Sequence, residues 1–376
     1  MPRARFIASP DFRGHHFGEN HPLRVPRVPL TWDLIDVYGA LTADEFLPAR
    51  EATPQELAGF HEADYLEALR RAQDLGRVDD GARQRFGLGT LENPWFPQYF
   101  HLPALAAGGS VQGAEAVLRG ERAFNPAGGM HHGQPGRAQG FCLINDVVLG
   151  IQRLLGEDLR VLYLDIDAHY PDGVVPAFQD DPRVALVSLH MDTEYAYPFV
   201  GGALEETGGS GQVVNVPLPR GVHDDEYRAL FEPLWERLLE RFRPDAVVLQ
   251  AGTDIIQGDP LGKLSVSTCG FLATVARVVA DAPRLLVLGG GGYHPILLAR
   301  AWTGVWALLG DRDLPAALPP AGRNLLRAVD WDDEDRDPAW VEVLYRERLE
   351  GPHAGPVRPE VTEIRRRLLN EHPLLR

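Results

Sequence analysis

Five short runs of apolar residues recur between residues 160 and 292, and polar side chains barely interrupt them. Such runs are typical of strands that are buried on both faces of a parallel sheet. We therefore predict strands over residues 160–167, 183–190, 212–218, 245–254 and 284–292.

Other segments repeat apolar residues every three or four positions, which predicts amphipathic helices. The predicted helices cover residues 53–72, 224–242, 268–280 and 295–309. The first of them begins with Thr53 as the capping residue, Pro54 at the first helical position and Glu56 completing a capping box.

Strands that alternate with helices indicate a single α/β domain, in which helices cover both faces of a parallel sheet. The last 60 or so residues read differently, because proline-rich, acidic and basic stretches follow one another there. We predict a main domain over residues 1–315 and a helical extension over residues 316–376 that packs on the same domain.

The composition narrows the possible surroundings and partners. The chain has 376 residues, of which 44% are hydrophobic and 24% charged, as expected of a globular protein. Its net charge of −16 argues against a nucleic-acid partner, because phosphate contacts need clustered Lys and Arg. It contains no apolar run of about 18 residues, so no membrane partner is expected.

The two cysteines, Cys142 and Cys269, predict a reducing compartment rather than a disulfide framework. The start of the chain lacks the apolar core of a signal peptide. We therefore expect a cytoplasmic location.

Polar side chains follow three of the predicted strands. Asp165, Asp167 and His169 alternate at the end of the first, Asp254 ends the fourth, and Tyr293 follows the glycine run of the fifth. Because ligands of an open parallel sheet bind beyond the carboxyl ends of its strands, these side chains are expected to converge.

A metal site is the preferred interpretation of this convergence. Asp167, His169 and Asp254 would supply three ligands and leave positions open for water and substrate. Two carboxylates and one imidazole suit Zn²⁺ and Fe²⁺ alike. The competing interpretation is a network of hydrogen bonds at the strand ends that holds no metal.

The adjacent histidines His131 and His132 follow two glycines, and they are either catalytic groups or ordinary loop residues. Hydrolysis of an amide needs a base for the attacking water and an acid for the leaving amine, and histidine can serve as both. Asp165 and Asp172 are natural carboxylate partners for the pair. The Tyr293 hydroxyl could hydrogen-bond a developing oxyanion.

Two other families with similar acidic motifs fit less well. A phosphotransferase of the haloacid-dehalogenase type needs a lysine at a later strand end, and the single lysine, Lys263, lies in a loop. An arginase-type ureohydrolase with two Mn²⁺ ions needs a second D-x-D cluster, whereas here Asp254 stands alone apart from the distant Asp259. One metal ion is therefore expected.

The motifs together resemble the zinc-dependent histone deacetylase superfamily. They are "GGMHHGQPGRAQGFCLIND", "YLDIDAHYPDG", "VALVSLH", "LQAGTDIIQGDPLG" and "LGGGGYH", in this order. The N-terminal "FGENHPLRVPRVPLTWDLI" and "LGTLENPWFPQYFHLPALAAGGSV" look most like its bacterial acetoin-utilisation branch. The resemblance covers about residues 5–310 and implies a sheet of about eight parallel strands, shared with arginase.

The resemblance implies hydrolysis of acetylated or otherwise acylated lysine to the free amine and, from acetyl-lysine, acetate. Asp167, His169 and Asp254 would bind the metal, and His132 would be the general base and acid beside Asp172. His131, paired with Asp165, would act electrostatically, and Tyr293 would polarise the carbonyl.

Three further groups of residues are implied by the same resemblance. The substrate channel would be lined by Gly140, Phe141, Tyr197, Leu261 and Gly291. A potassium ion would be bound by Asp165, Asp167, His169, Ser188 and Leu189. Arg27 would line an internal cavity suited to acetate.

The chain departs from the family pattern at two places. The family usually has D-x-H-H-G-D-G where this chain has Tyr170 and Pro171 after His169, and Pro171 restricts the loop. The family segment "PGTG" appears here as "PFVG" over residues 198–201. Both changes are expected to alter which substrates reach the site.

Three functions remain open at this point. The first is deacetylation of lysine in proteins, the second is deacetylation of small amines such as acetylpolyamines, and the third is binding of acyl-lysine without turnover. The negative net charge suits cationic substrates of either size.

Overall fold

The structure is a computed structural model that describes residues 2–14, 17–18, 21–314, 317–331 and 352–376. A single sheet of parallel strands runs through it, in the order β2-β1-β3-β8-β7-β4-β5-β6. The eight strands are β1 (Ala4–Ala8), β2 (Phe46–Pro48), β3 (Arg122–Asn125), β4 (Val161–Asp165), β5 (Val184–Met191), β6 (Val213–Leu218), β7 (Ala246–Gln250) and β8 (Leu285–Leu288).

Helices connect the strands and cover both faces of the sheet. A short 3-10 helix spans Pro10–Gly14. The α-helices of the described residues are α1 (Arg27–Val37), α2 (Pro54–Leu57), α3 (Ala63–Leu75), α4 (Asp80–Phe86), α5 (His101–Leu118), α6 (Asp146–Leu155), α7 (Val175–Phe178), α8 (Asp224–Arg241), α9 (Thr268–Asp281), α10 (Pro295–Leu309), α11 (Pro320–Arg327) and α12 (Pro359–Glu371).

The five predicted strands correspond to β4 to β8, but the sequence pattern misses β1, β2 and β3. These three strands have only three to five residues, and β1 and β3 contain arginine while β2 ends in proline. Strands β4, β7 and β8 are equally short but consist almost entirely of apolar residues. The arginine and proline leave β1, β2 and β3 without a recognisable apolar run, so pairing with their neighbours decides their conformation.

The continuous helix predicted over residues 53–72 is wrong, because the structure divides it into α2 and α3. The capping box of Thr53 and Glu56 is present at the start of α2. The chain then leaves the helix, and the Glu62 amide donates to the Pro135 carbonyl before α3 begins. A contact with a distant loop therefore interrupts a locally helical sequence.

The core lies in layers on the two sides of the sheet, as period-two alternation requires. Leu162 and Leu164 of β4 pack into one layer, whereas Val161 and Tyr163 pack into the other, and all four are fully buried. Trp302 and Trp306 of α10 belong to the first layer. Burial of each such side chain stabilises the fold by roughly 1.5–3 kcal/mol.

The C-terminal segment packs against the body of the fold. The Arg358 guanidinium forms two hydrogen bonds with the buried Glu226 carboxylate of α8, at 2.7 and 2.8 Å. His372 hydrogen-bonds the Val213 carbonyl of β6 at 2.8 Å. The predicted division between residues 315 and 316 lies outside the described residues, so the two-part description stays a prediction.

The sheet order determines where polar side chains can meet. Strands β3, β8, β7 and β4 are consecutive neighbours, although they are far apart along the chain. The loops that follow these four strands therefore lie side by side at the carboxyl edge of the sheet, where an open parallel sheet binds its ligands.

Candidate active site

The segment after β4 sends its acidic side chains to two different places. The strand ends at Asp165, whose carboxylate lies 2.8 Å from His131 Nδ1 and accepts the Asp167 amide at 2.9 Å. Asp167 and His169 instead meet Asp254 from the loop after β7. The alternation that the sequence shows does not bring all three side chains to one point, because the chain leaves the extended conformation after Asp165.

Asp167, His169 and Asp254 form a buried cluster in which one potential ligand atom of each lies within 4.8 Å of the others. His169 Nδ1 lies 2.9 Å from Asp254 Oδ2 and 3.2 Å from Asp167 Oδ1. The remaining oxygen of Asp254 accepts the Ala168 amide at 2.8 Å. Backbone amides thus orient the carboxylates, which leaves their other oxygens facing the imidazole nitrogen.

The charge balance of the cluster suits a cation. Burial opposes a charge on His169, but hydrogen bonds and charge from Asp167 and Asp254 raise its pKa to about 10. Burial and the charge of Asp167 raise the pKa of Asp254 to about 7. Two buried carboxylates around one imidazole carry an excess of negative charge that a divalent cation would neutralise. The donor set therefore fits a Zn²⁺ or Fe²⁺ ion.

The loop after β3 carries the two histidines next to this cluster. His131 Nδ1 faces Asp165, and His132 Nδ1 lies 2.6 Å from Asp172 Oδ1. The two Nε2 atoms are 3.1 Å apart. Because carboxylates accept hydrogen bonds, each Nδ1 carries a hydrogen, and the contact between the Nε2 atoms then needs one further proton.

The pKa values of the pair move in opposite directions. Burial lowers the pKa of His131, but the charges of Asp165 and Asp167 outweigh it and raise the pKa to about 9. Burial and the neighbouring charge of His131 lower the pKa of His132 to about 4, despite Asp172. The directions of these shifts favour His131 as the holder of the extra proton and His132 as the acceptor.

The glycine run after β8 allows a close approach to the cluster. A Cβ atom on Gly291 would lie 2.1 Å from Asp254 Oδ2, and the Gly291 amide donates to Asp167 Oδ2 at 2.6 Å. The Tyr293 ring that follows lies 6.4 Å from the His169 ring. Burial and the charges of Asp254 and Asp167 raise the pKa of Tyr293 well above its usual range. Its hydroxyl therefore stays protonated and can donate a hydrogen bond.

Four of the five predicted channel residues adjoin these groups. A Cβ on Gly140 would lie 2.4 Å from His132 Cδ2, the Tyr197 ring stands edge-on to His132 at 4.9 Å, and the Phe141 ring lies 5.9 Å from Tyr293. Gly291 touches the metal cluster as described above. Leu261 is half-buried, and its amide donates to Asp259 at 2.9 Å.

The predicted potassium residues lie at the carboxyl ends of β4 and β5. Asp165 and Ser188 are direct partners in the pairing of these two strands, and Leu189 follows in β5. The Ser188 hydroxyl lies 2.8 Å from His190 Nδ1. Asp167 and His169 belong to the metal cluster, so the two predicted ion sites share residues.

Arg27 is the first residue of α1, and its guanidinium contacts the glycine run after β8. Its Nη1 donates to the carbonyls of Gly290 and Gly292 at 2.9 and 3.0 Å. It borders a largely apolar cavity whose other lining residues include Phe12, Leu23, Phe96, Met130, Phe141 and Leu143. The structure thus puts a cationic side chain in an apolar chamber next to the cluster.

Several supporting residues escaped the sequence analysis. The Tyr163 hydroxyl donates to Asp165 at 2.6 Å, and its position two residues before Asp165 was a usable signal. Asp146 accepts the amides of Gly129 and Met130, which orients the histidine loop. Asp259 accepts the Tyr293 amide at 2.6 Å, although it lies too far from Asp254 in the sequence to be predicted as part of the site.

Tyr170 does not lie at the channel mouth. It is only 6% exposed, and its ring packs 5.0 Å from the His190 ring. A Cβ on Gly201 would lie 2.8 Å from Tyr170 Cε1, and one on Gly202 would lie 3.0 Å from Cδ2. Tyr170 therefore supports the loop that contains the second departure from the family pattern.

Fold and site together define an α/β protein with a buried Asp-His-Asp cluster beside a histidine pair. The histidine pair and cluster lie within residues 21–309, which match the histone deacetylase domain. The chain belongs to this family. It is 37% identical to human histone deacetylase 1 over 314 residues, which cover 82% of this chain and 65% of that protein. It is also 37% identical to histone deacetylase RPD3 of Saccharomyces cerevisiae over 322 residues, covering 83% of this chain and 74% of that protein.

The solved structures agree with this membership and with the predicted fold. A histone deacetylase homologue from Aquifex aeolicus superposes with a TM-score of 0.93 at 38% identity, over 97% of this chain and 99% of that one. A structure of such a homologue in complex with SAHA superposes equally well. Among the described residues, no helix combines the length and apolar character needed to cross a membrane.

Proposed function

We propose that the protein hydrolyses the side-chain amide of acetylated or otherwise acylated lysine, in a metal-dependent reaction that releases free lysine and, from acetyl-lysine, acetate. The observation that carries this proposal is the histidine pair beside the Asp167-His169-Asp254 cluster, in which each Nδ1 faces a carboxylate and the two Nε2 atoms lie 3.1 Å apart. The opposite directions of the pKa shifts of His131 and His132 support it. Membership of the histone deacetylase family supports the same reaction.

Asp167, His169 and Asp254 would hold a divalent cation, Zn²⁺ or Fe²⁺. When bound, the cation would supply Lewis acidity toward the substrate carbonyl and the attacking water. The family makes Zn²⁺ the first expectation, and the two carboxylates of the donor set keep Fe²⁺ open.

His132 would act as general base and then as general acid. Its Nε2 would take a proton as water oxygen bonds to the amide carbon, and would return a proton to the nitrogen as the C–N bond breaks. Asp172 holds the ring through Nδ1 and thereby aims Nε2. His131 would remain charged beside Asp165 and stabilise the negative charge that develops on the carbonyl oxygen.

Tyr293 would donate its hydroxyl hydrogen bond to that same oxygen. The channel of Gly140, Phe141, Tyr197, Leu261 and Gly291 would guide the acyl-lysine side chain, and Arg27 would attract the released acetate into its cavity. A potassium ion held by Asp165, Asp167, His169, Ser188 and Leu189 would balance the buried carboxylates.

Deacetylation of small amines such as acetylpolyamines is the second candidate, and the same site would perform it. The negative net charge of −16 is compatible with it, although it attracts cationic substrates of either size. Binding of acyl-lysine without turnover is the third candidate, and its support is the altered loop at Tyr170 and Pro171. The acetoin-utilisation branch and the cytoplasmic location likewise stay predictions.

The test is acetate release from an acetyl-lysine peptide by the purified full chain supplied with Zn²⁺ or Fe²⁺. Turnover is expected with at least one metal. His132→Ala should lower kcat by about 10²–10⁴-fold, because proton transfer is lost, while metal content stays the same. Absence of turnover with both metals contradicts the proposal, and an unchanged rate in His132→Ala assigns the base elsewhere.

A further inference from the structure

Some of the large apolar side chains on the surface lie at the mouth of the proposed channel. Among the described residues, the large apolar side chains exposed anywhere on the surface are Leu75, Leu91, Phe199, Val200 and Val357. Single exposed apolar side chains are common on protein surfaces and need no explanation. Leu91 (99% exposed), Phe199 (65%) and Val200 (64%) differ because they belong to two loops that meet at one place.

Contacts of their neighbours show where the two loops meet. Glu92, next to Leu91, accepts the Gly140 amide at 3.1 Å, and its charge adds to burial in raising the pKa of Tyr197. The Tyr197 ring lies 4.9 Å from His132, and the Phe199 ring lies 6.2 Å from Tyr197. A row of rings therefore leads from the catalytic histidine to the surface. We call Leu91, Phe199 and Val200 the rim.

The loop that carries Phe199 and Val200 is fixed on both sides. Phe199 has a φ of +62°, a conformation that costs a non-glycine residue free energy, and its amide donates to the Ala196 carbonyl at 2.9 Å. The Gly202 amide donates to Glu206 at 2.9 Å. Tyr170 packs beneath Gly201 and Gly202. The loop thus holds two apolar side chains in water instead of folding them inward.

We propose that the rim binds apolar side chains that flank the acylated lysine in a protein substrate, and so selects protein segments over free small amines. This inference rests on the proposed function. When a lysine side chain enters the channel, the residues within two positions of it necessarily come to the mouth. An aliphatic side chain there would cover part of the rim and remove apolar surface from water on both partners. A free acetylated amine brings no such side chains.

The experiment compares four substrates with the metal-loaded full chain, three of them derivatives of acetyl-lysine. One is an acetyl-lysine peptide with leucine at the two positions on either side, the second has serine there, and the third is acetyl-lysine blocked at both ends without flanking residues. The leucine peptide should have a kcat/KM about tenfold above that of the serine peptide, mostly through KM. Acetylspermidine serves as the small-amine comparison and should be a poorer substrate than the leucine peptide.

The matched variants separate the rim from surface hydrophobicity in general. The triple variant Leu91→Ser, Phe199→Ser, Val200→Ser should bring the ratio between the two peptides to within about twofold. Leu75→Ser combined with Val357→Ser removes exposed apolar side chains outside the rim and should keep the tenfold ratio. The compound without flanking residues reveals any general loss of activity in the triple variant, and thermal unfolding verifies that it is folded.

Several outcomes would overturn the proposal. They are a ratio near one in the wild type, a tenfold ratio that survives in the triple variant, or acetylspermidine as the better substrate. Self-association of the wild type that the triple variant lacks would assign the rim to a second copy of the chain. Failure to hydrolyse any of the compounds would instead contradict the proposed function, and the rim proposal would fall with it.

Discussion

The inner site, formed by His131, His132 and the Asp167-His169-Asp254 cluster, and the rim above it are built on different principles. Each inner side chain is buried and oriented by a carboxylate, a backbone amide or both. The rim side chains stand in water, and the hydrogen bonds of the Phe199 loop hold its backbone at Phe199 and Gly202. Buried polar groups must all be satisfied, so the inner arrangement tolerates few changes, whereas a rim can vary at little cost to stability.

Both departures from the family pattern bear on the rim, because "PFVG" contains Phe199 and Val200 and the buried Tyr170 supports that segment from beneath. Tyr170 and the "PFVG" segment are in contact with each other through Gly201. The inner residues implied by the family pattern are all present. We infer that the inner site determines which bond is cleaved, whereas the rim determines which substrates are preferred. The substitutions below test this division.

The largest loss of metal affinity and turnover is expected from Asp254→Asn. Asparagine keeps an oxygen for the Ala168 amide but removes a charge from the cluster, so metal affinity should fall by more than about 100-fold and turnover with it. Metal content after dialysis and acetate release measure both. Asp181→Asn, at a surface ion pair with Arg183, is the control and should retain both metal and activity. Full metal content in Asp254→Asn would contradict the assignment of this ligand.

A smaller loss of turnover is expected from Gly129→Ala, at the contact between the loops after β3 and β8. Gly129 has a φ of +90°, and a Cβ there would lie 2.5 Å from the Gly290 backbone nitrogen. Gly120 has a similar φ of +83° but open space around it. Gly120→Ala should destabilise the fold by about 1 kcal/mol because of its backbone conformation, and Gly129→Ala should destabilise it more, because its Cβ would also clash with the Gly290 backbone.

Only Gly129→Ala should also displace the loop that carries Tyr293, which would lower kcat by about 10²-fold. Thermal unfolding and kcat for the two variants separate strain from displacement. Equal kcat values would show that the contact between the two loops does not position the inner site.

The smallest effect is expected at Tyr170, where a substitution should change only the preference between peptide substrates. Tyr170→Ala would remove the ring beneath Gly201 and Gly202, so the preference for leucine over serine peptides should weaken by about threefold to fivefold. Tyr170→Phe keeps the ring and should keep the preference. The ratio of kcat/KM for the two peptides is the measurement. A preference lost equally in both variants would assign the effect to the hydroxyl and not to packing.

The prediction of strands succeeded where apolar residues follow one another without interruption. It failed where contacts with distant parts of the chain decide the local conformation. Strands β4 to β8 are evident because burial on both faces forces continuous apolar runs. The three-residue β2 has no such pattern and is a strand only because it pairs with β1. The break between α2 and α3 has the same origin, since the Glu62 amide finds its partner in a loop some 70 residues later.

The sequence by itself determined the types of chemical group and the strand ends at which they stand, because metal binding and proton transfer demand particular side chains at those ends. It also identified the family through motifs whose spacing follows from the fold. The family resemblance implied which carboxylate faces each histidine, but only the tertiary structure decided how closely the groups approach and how they are charged. Burial and the exact neighbours of each imidazole separate the pKa values of His131 and His132, and neither quantity can be read from residues adjacent in sequence. The rim likewise exists only because two distant loops meet over one channel.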